Sequence, residues 1–118
     1  MGALAAGQIV LLPFPFSDLS RNKLRPVLLL ASAGREDWIA CQITSNPYAD
    51  PGAIPLMQPD FASGGLQRIS YVRPGKLFTA HASLIATSSG TLQPSALEHV
   101  RDTVVAIIRG TGSKSLVP

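Results

Sequence analysis

The sequence carries little charge. Only 14% of its 118 residues are Asp, Glu, Lys or Arg, whereas about 25% is usual in soluble proteins. A surface this short of charge is typical of a chain that covers part of itself with a partner, so we expect an oligomer or a standing complex. Ten basic and seven acidic residues leave a net charge of +3, which permits nucleic-acid binding without requiring it.

Metal-ligating and nucleophilic residues are equally scarce. Cys41 is the only cysteine and lies in an apolar segment, which predicts a buried structural thiol rather than a disulfide or a nucleophile. One cysteine and two distant histidines do not make a zinc site. The sequence has no phosphate-binding loop, dinucleotide fingerprint, serine elbow or close carboxylate pair. We therefore expect neither a metal nor a cofactor.

Long apolar runs are absent as well. No stretch reaches the roughly 18 residues that span a bilayer, and residues 1–6 lack the basic start of a secretory signal. Together with the single cysteine, these absences predict a cytoplasmic protein without membrane contact.

Short apolar segments broken by glycine and proline predict a mainly β fold, a small barrel or sandwich. The chain shows no internal repeat and no linker, so one domain over residues 1–118 is expected. Loops are predicted at 17–22, 32–36, 46–52 and 59–65, and a turn at 73–75. The predicted strands are 8–14, 24–31, 37–44, 53–57, 67–72, 76–79 and 83–92.

A helix is predicted before the C-terminus and should pack across the open side of the sheet. One apolar face recurs at helical spacing, formed by Leu97, Val100, Val104, Ile107 and Ile108. Ser95 with Glu98 suggests a capping box, although Pro94 also suits the first turn. Gly110 should end the helix, and residues 111–118 should form a flexible tail. The opposite, exposed face carries His99, Arg101 and Asp102.

Two residues at predicted strand ends point to chemistry. Arg25 stands where the second strand begins, and Thr44 stands where the third strand ends. If these strands form an antiparallel hairpin, the guanidinium and the hydroxyl share one edge of the sheet. Such a pair suits the binding or cleavage of a phosphodiester.

RNA carries its own nucleophile, the 2′-hydroxyl beside the scissile phosphate. A site that cleaves RNA therefore needs only to align this hydroxyl, transfer protons and stabilise the charge on the phosphoryl oxygens. Arg25 offers a charged fork for two phosphoryl oxygens, and Thr44 and Ser45 offer hydroxyl donors. Arginine is a poor general base because its pKa exceeds about 12. The base stays open between Asp18, water and an unusual role for Arg25.

Each of these residues also has a purely structural interpretation. Arg25 could pair with Asp18 or Asp37, and Thr44 and Ser45 could cap the following loop. Phenylalanines 14 and 16 either stack on bases or fill a core or dimer contact. Phosphates could be held by scattered surface cations, namely Arg21, Lys23, Arg68, Arg73 and Lys76. A ribonuclease-like pairing of His81 with His99 has little support, because neither setting suits it.

Several short segments in a fixed order carry a resemblance to a known family. They are Gly-Gln-Ile-Val at 7–10, Pro-Phe-Pro-Phe-Ser-Asp-Leu at 13–19, Arg-Pro-Val-Leu at 25–28, Ile-Thr-Ser at 43–45, Gly-Gly-Leu at 64–66, Ser-Tyr-Val-Arg at 70–73, Lys-Leu-Phe-Thr at 76–79 and Gly-Thr-Leu at 90–92. In this order they resemble the MazF/PemK-like growth inhibitors, the toxin halves of bacterial toxin–antitoxin pairs.

The resemblance implies a partly open SH3-like barrel with a terminal helix, assembled as a homodimer. It also implies a metal-independent endoribonuclease that cuts single-stranded RNA at short sequences, with Arg25 and Thr44 as the catalytic pair. The expected products are a 2′,3′-cyclic phosphate and a 5′-hydroxyl, and the expected partner is a small acidic antitoxin. The predicted RNA contacts are Phe16, Ser17, Asp18, Lys23, Ser45, Arg68 and Arg73.

Two other functions remain open. The same fold resembles the gyrase-poisoning CcdB toxins, which act through protein contacts, although Arg25 and Thr44 have no evident use there. The chain could also be a catalytically silent binding module. The loop at 17–23 is short compared with several family members and lies next to Arg25, which puts loop-dependent specificity in question.

Overall fold

The computed structural model describes residues 3–13, 23–46 and 50–111. The predicted loop at 17–22 and the predicted tail beyond residue 111 lie outside them. The described part forms seven strands and a C-terminal helix: β1 (Gln8–Pro13), β2 (Leu24–Gly34), β3 (Asp37–Thr44), β4 (Ile54–Leu56), β5 (Phe61–Gly64), β6 (Ser70–His81), β7 (Thr87–Leu92) and α1 (Pro94–Arg109). Short 3-10 turns at Gln58–Asp60 and Ala82–Leu84 precede β5 and β7.

All seven strands join one antiparallel sheet in the order β4-β6-β3-β2-β1-β7-β5. The sheet curls strongly, because Leu56 of one edge strand and Phe61 of the other pack into the same apolar cluster. Extra residues in β7, β2 and β6 break the register with their neighbours and supply the bends. The result is the partly open barrel with a terminal helix that the sequence predicts.

The central strands are buried on both faces. Along β2, Leu28 and Leu30 belong to the cluster under the helix, while Val27 and Leu29 belong to a second cluster on the other face. Side chains alternate across a strand, so an unbroken apolar run such as 27–30 forms where both faces are covered. This is why the second strand is the most recognisable one in the sequence.

The helix packs as predicted but uses a narrower face. Leu97, Val100 and Val104 are buried against the sheet, whereas Ile107 is 43% exposed and Ile108 is 70% exposed. The predicted apolar face is therefore wrong for the last two residues, because the sheet ends before the helix does. Among the described residues, no helix combines the length and hydropathy that a bilayer crossing requires.

Both helix ends are defined by backbone rather than by a side-chain cap. Gln93 is the N-cap without a side-chain bond and Pro94 takes the first helical position, so the predicted capping box of Ser95 and Glu98 does not form. Proline suits this position because its missing N–H has no helical partner there. Gly110 ends the helix as predicted, in the left-handed region at φ 75°.

Arg101 departs from the prediction of an exposed helix face. Its Nε and Nη2 both donate to the Leu30 carbonyl of β2, at 3.1 and 2.8 Å. Its Nη1 donates to Glu98 at 2.8 Å. Leu30 is the extra residue where β2 bulges against β3, so its carbonyl can accept from the helix. One side chain thereby ties α1 to the centre of the sheet.

Several strand assignments from the sequence are wrong: residues 32–34, predicted as part of a turn, belong to β2, and residues 83–86, predicted as strand, precede β7. Residues 61–64 form β5 instead of a loop, because they pair with β7. The turn predicted at 73–75 is a bulge inside the continuous strand β6. Pairing with β3 jumps from Leu77 to Arg73 between consecutive β3 residues, and Pro74 is buried in the bulge. Proline cannot donate to a ladder, so it is accommodated where pairing is interrupted.

The buried thiol gives a first prediction. Burial raises the pKa of Cys41 to about 12, and the thiolate is the reactive form. We expect the folded protein at pH 8 to resist a thiol reagent such as 5,5′-dithiobis(2-nitrobenzoate), and the unfolded protein in guanidinium to react fully. Rapid modification of the folded protein, measured by absorbance, would contradict the burial.

The helix offers a second prediction with a matched control. Val100 is 1% exposed and Val105 is 45% exposed, so the same truncation tests both faces. Val100→Ala should lower the free energy of unfolding by about 2 kcal/mol, through lost burial and a residual cavity. Val105→Ala should change it by less than about 0.5 kcal/mol. Urea unfolding followed by circular dichroism measures both, and equal losses would refute the assigned packing face.

Candidate active site

The candidate site is a cleft that opens where β2 and β3 separate. Their ladder ends at the pair Val27 and Gln42. Beyond it, β2 stays bonded to β1 through Arg25 and Leu12, and β3 stays bonded to β6 through Thr44. Each of the two strand ends is thus paired with a different strand. The space between the two ends is a cleft of about 850 Å³.

Arg25 and Thr44 both line this cleft, one from each strand. Both are half-buried. Arg25 stands two residues before the last β2–β3 pair and Thr44 stands two residues after it. Because side chains repeat every second residue on one face of a strand, the two residues share the face to which Val27 and Gln42 belong. The structure brings together the two residues that the sequence analysis singles out.

The Thr44 hydroxyl also serves the loop that follows. The Asn46 N–H donates to Thr44 Oγ1 at 3.0 Å, which is the capping role considered as the structural alternative. This bond uses a lone pair of the oxygen, and a hydroxyl has one proton and two lone pairs. The hydroxyl can therefore hold the loop and still donate to a group in the cleft.

Asp37 and Asp18 are the two carboxylates considered as structural partners of Arg25. Asp37 lies at the other end of β3, where it pairs with His81 in register, so it does not neutralise Arg25. Asp18 lies outside the described residues, as do Phe16 and Ser17. Arg25 is held on a paired strand and lines the cleft.

Four more of the predicted RNA contacts line the same cleft: Lys23, Ser45, Arg68 and Arg73. Lys23, Ser45 and Arg68 are exposed. With Arg25, the lining holds four basic side chains and, among the described residues, no carboxylate. Positive charges in a cleft attract an anionic chain, because the low-dielectric walls of the cleft concentrate their electric field. Lys76 lies in the β6 bulge and does not line the cleft.

The sequence matches the family model described as PemK-like, MazF-like toxin of type II toxin–antitoxin system, over residues 5–108. The chain belongs to this family. None of the curated proteins compared with the chain matches it significantly.

Solved structures of the MazF type share the fold. A mycobacterial endoribonuclease in complex with its cognate antitoxin aligns with a TM-score of 0.64 and 19% identity, covering 94% of this chain and 97% of that one. The Mycobacterium tuberculosis toxin MazF-mt6 gives 0.64 and 19%, covering 88% and 97%. MazF in the MazE–MazF complex of Deinococcus radiodurans gives 0.66 and 21%, covering 94% and 99%.

The sequence analysis missed part of the cleft lining, namely Gln42, Gln67, Ser70 and Ser89. Gln42 could have been found, because it precedes Thr44 by two residues and so shares its strand face. Gln67 and Ser89 carry no comparable sequence pattern. They line the cleft because β5 pairs with β7, which places Ser89 and the connection after β5 at the same opening.

The histidines do not form an acid–base pair in this MazF-like cleft. His81 Nδ1 lies 2.8 Å from Ser83 Oγ in the turn after β6, and His99 is exposed on α1. Neither side chain lines the cleft. In the described part of the chain, no three histidine, cysteine or acidic side chains are grouped closely enough to bind a metal ion.

Two glycines hold the far wall of the cleft in place. Gly64 and Gly90 face each other between β5 and β7. A Cβ atom on Gly90 would lie 2.8 Å from both the Gly65 nitrogen and the Ser63 oxygen. The Ser89 hydroxyl donates to the Gly65 carbonyl at 2.8 Å. The close approach of the two backbones therefore fixes the position of residues 65–68, which line the cleft.

The close approach of β5 and β7 at Gly90 gives a third prediction. Gly90→Ala should destabilise the protein by about 1–3 kcal/mol, because the added methyl group meets backbone that cannot move aside cheaply. Gly75→Ala is the control, since a Cβ there meets nothing within 4 Å. Thermal unfolding of the two variants measures the difference. Equal melting temperatures would contradict the close backbone contact around Gly90.

Proposed function

We propose that this family member is a metal-independent, sequence-specific endoribonuclease that cleaves single-stranded RNA, including mRNA, as the toxin of a toxin–antitoxin pair. The observation that carries the proposal is the separation of β2 from β3. It sets the Arg25 guanidinium and the Thr44 hydroxyl in one cationic cleft, each on a strand that is hydrogen-bonded along its other edge. Reactive groups held by paired strands keep the precise geometry that catalysis needs.

The reaction follows from the substrate's own chemistry. The RNA 2′-oxygen attacks the adjacent phosphorus, the bond to the 5′-oxygen breaks, and a 2′,3′-cyclic phosphate and a 5′-hydroxyl result. Negative charge gathers on the non-bridging oxygens in the transition state. Arg25 donates two hydrogen bonds to those oxygens, and Thr44 donates one more. Ser45, exposed beside Thr44, is a further donor.

The reaction also requires two proton transfers. The 2′-hydroxyl loses a proton and the departing 5′-oxygen gains one. Arginine is a poor general base, because its guanidinium group is not deprotonated in proteins. We therefore assign Arg25 to charge stabilisation. The base stays open between water, Asp18 and Arg25 itself.

The cleft suits a single strand. It is an open recess with exposed Lys23 and Arg68 at its lining, which can bind phosphates on either side of the scissile one. An unstacked base can enter such a recess, whereas a base inside a duplex cannot. The predicted contacts of Phe16, Ser17 and Asp18 belong to this same proposal.

We also propose a homodimer and a small acidic antitoxin as the partner, both acting in the cytoplasm. The last turns of α1 expose Val105, Ile107 and Ile108, which is apolar surface beyond what the sheet covers. An acidic chain would be attracted to the same cations as RNA. Two structural relatives were solved with an antitoxin bound, the mycobacterial endoribonuclease and the Deinococcus MazF.

The catalytic proposal gives a fourth prediction. In EDTA, the purified protein should cut a long unstructured RNA at a short recurring sequence and leave 5′-hydroxyl ends. Arg25→Lys keeps the charge but loses the fork, and Thr44→Val keeps the shape but loses the hydroxyl. Each should slow cleavage by about 100-fold or more, whereas Thr44→Ser should retain much of the rate. End mapping and single-turnover kinetics measure these outcomes.

The chain provides matched controls for both variants. Arg35 lies in the exposed turn at the other end of β2, and Thr79 is exposed on β6. Arg35→Lys and Thr79→Val should cleave like the parent protein. Intact RNA together with inhibited gyrase would favour the CcdB-like alternative. RNA binding without any cut would favour the catalytically silent module.

A further inference from the structure

Within the described part of the chain, Arg73 is the basic residue of the cleft lining whose side chain is held on two sides. Its Nε donates to Asp50 Oδ2 at 3.2 Å, and its Nη1 donates to Gln42 Oε1 at 2.8 Å. The Arg73 and Asp50 side chains are only 17% and 19% exposed. Gln42 and Arg73 are also partners in the β3–β6 register. The three side chains therefore join β3, β6 and the connection that follows β3.

Asp50 organises the chain on its own side as well. Its Oδ1 accepts from the Gly52 N–H at 2.9 Å, and its carbonyl accepts from the Ala53 N–H at 3.0 Å. The bond to Arg73 fixes this small turn against β6. At the other end of the connection, Asn46 is bonded to the Thr44 hydroxyl. Both described ends of the β3–β4 connection are thus anchored next to the cleft.

We propose that Asp50 is a positioning residue for cleavage: by holding Arg73 against Gln42, it fixes the end of β3 that carries Thr44 and Ser45. In this arrangement Arg73 acts through the strand end rather than as a direct phosphate ligand, which revises its predicted role. The charge of Arg73 is already balanced by Asp50 at hydrogen-bond distance, and Gln42 takes a second N–H group. The inference rests on the proposed endoribonuclease function.

The geometry explains why the end of β3 needs such an anchor. Past Gln42, β3 has lost β2 as a neighbour and is paired on one side only. A strand end paired on one side has more freedom to fray. The contribution of Thr44 depends on a hydrogen bond to one particular oxygen, and a misplacement of about 1 Å can cost about 100-fold in rate.

The fifth prediction concerns Asp50→Asn, which removes the charge and nearly preserves the shape. We expect kcat for RNA cleavage to fall by about 10- to 100-fold, with little change in KM. Asp102→Asn, the same change at an exposed helix position, is the control and should cleave normally. Titration with a non-cleavable RNA, carrying a 2′-deoxy group at the cut site, counts the folded binding sites and corrects kcat for them.

The salt dependence of binding to the non-cleavable RNA distinguishes the role of Arg68 from that of Arg73. Loss of one phosphate contact lowers the slope of log K against log salt by about 0.7 for a single strand. Arg68→Gln should lower the slope by that amount, and Arg73→Gln should leave it unchanged. Arg73→Gln should lower kcat as Asp50→Asn does, and the double variant should be no slower than either one.

Hydrogen exchange tests the anchor without reference to activity. In Asp50→Asn and Arg73→Gln, the Asn46 amide should exchange faster while core amides such as those of β2 stay protected. Unchanged exchange at Asn46 would overturn the inference, whether or not the protein cleaves RNA. Tighter RNA binding or an undiminished kcat in Asp50→Asn would also overturn it, because Asp50 would then only neutralise Arg73. If the parent protein cleaves no RNA, the proposed function fails instead.

Discussion

The site depends on the separation of two strands that begin as neighbours. β2 and β3 form a ladder through the centre of the sheet and part after Val27 and Gln42. The separation persists because β2 is still bonded to β1 and β3 to β6. Pro26 contributes, since it has no N–H with which to extend a ladder. The cleft is therefore a gap between two paired strands, and residues 65–68 of the β5–β6 connection complete its lining.

This arrangement reconciles a low overall charge with a strongly cationic site. Only ten residues of the chain are basic, and four of them line the cleft. Arg73 stands apart from Lys23 and Arg68, because Asp50 already balances it. The four cations thus differ in setting: Lys23 and Arg68 are exposed and suited to long-range attraction, Arg25 is half-buried at the strand end, and Arg73 is held by Asp50. Counting positive charges alone does not distinguish these roles.

The curvature of the sheet is the second feature on which the fold depends. Extra residues in β7, β2 and β6 break the register and bend those strands, and the two edge strands meet in one core cluster beneath α1. The bulge at Leu30 also leaves a carbonyl for Arg101 to bind from the helix. In the described part of the chain, one helix closes the core of the single sheet.

Much of the fold and the centre of the site could be predicted from the sequence, because those features depend on neighbours along the chain. The apolar run at 27–30, the β3 bounds and the helix between Pro94 and Gly110 follow from periodicity and from the chemistry of proline and glycine. Arg25 and Thr44 were identifiable because each sits at the end of such a run. The family resemblance rests on the same short segments.

Tertiary structure alone decided the rest. Strand β5 has no β-rich sequence and exists because β7 pairs with it. The exposure of Ile107 and Ile108 depends on where the sheet ends beneath the helix. The bonds from Arg73 to Asp50 and Gln42 span 23 and 31 residues of chain. Periodicity reports only which face a residue takes, whereas such contacts depend on how far the sheet bends and on which strands meet.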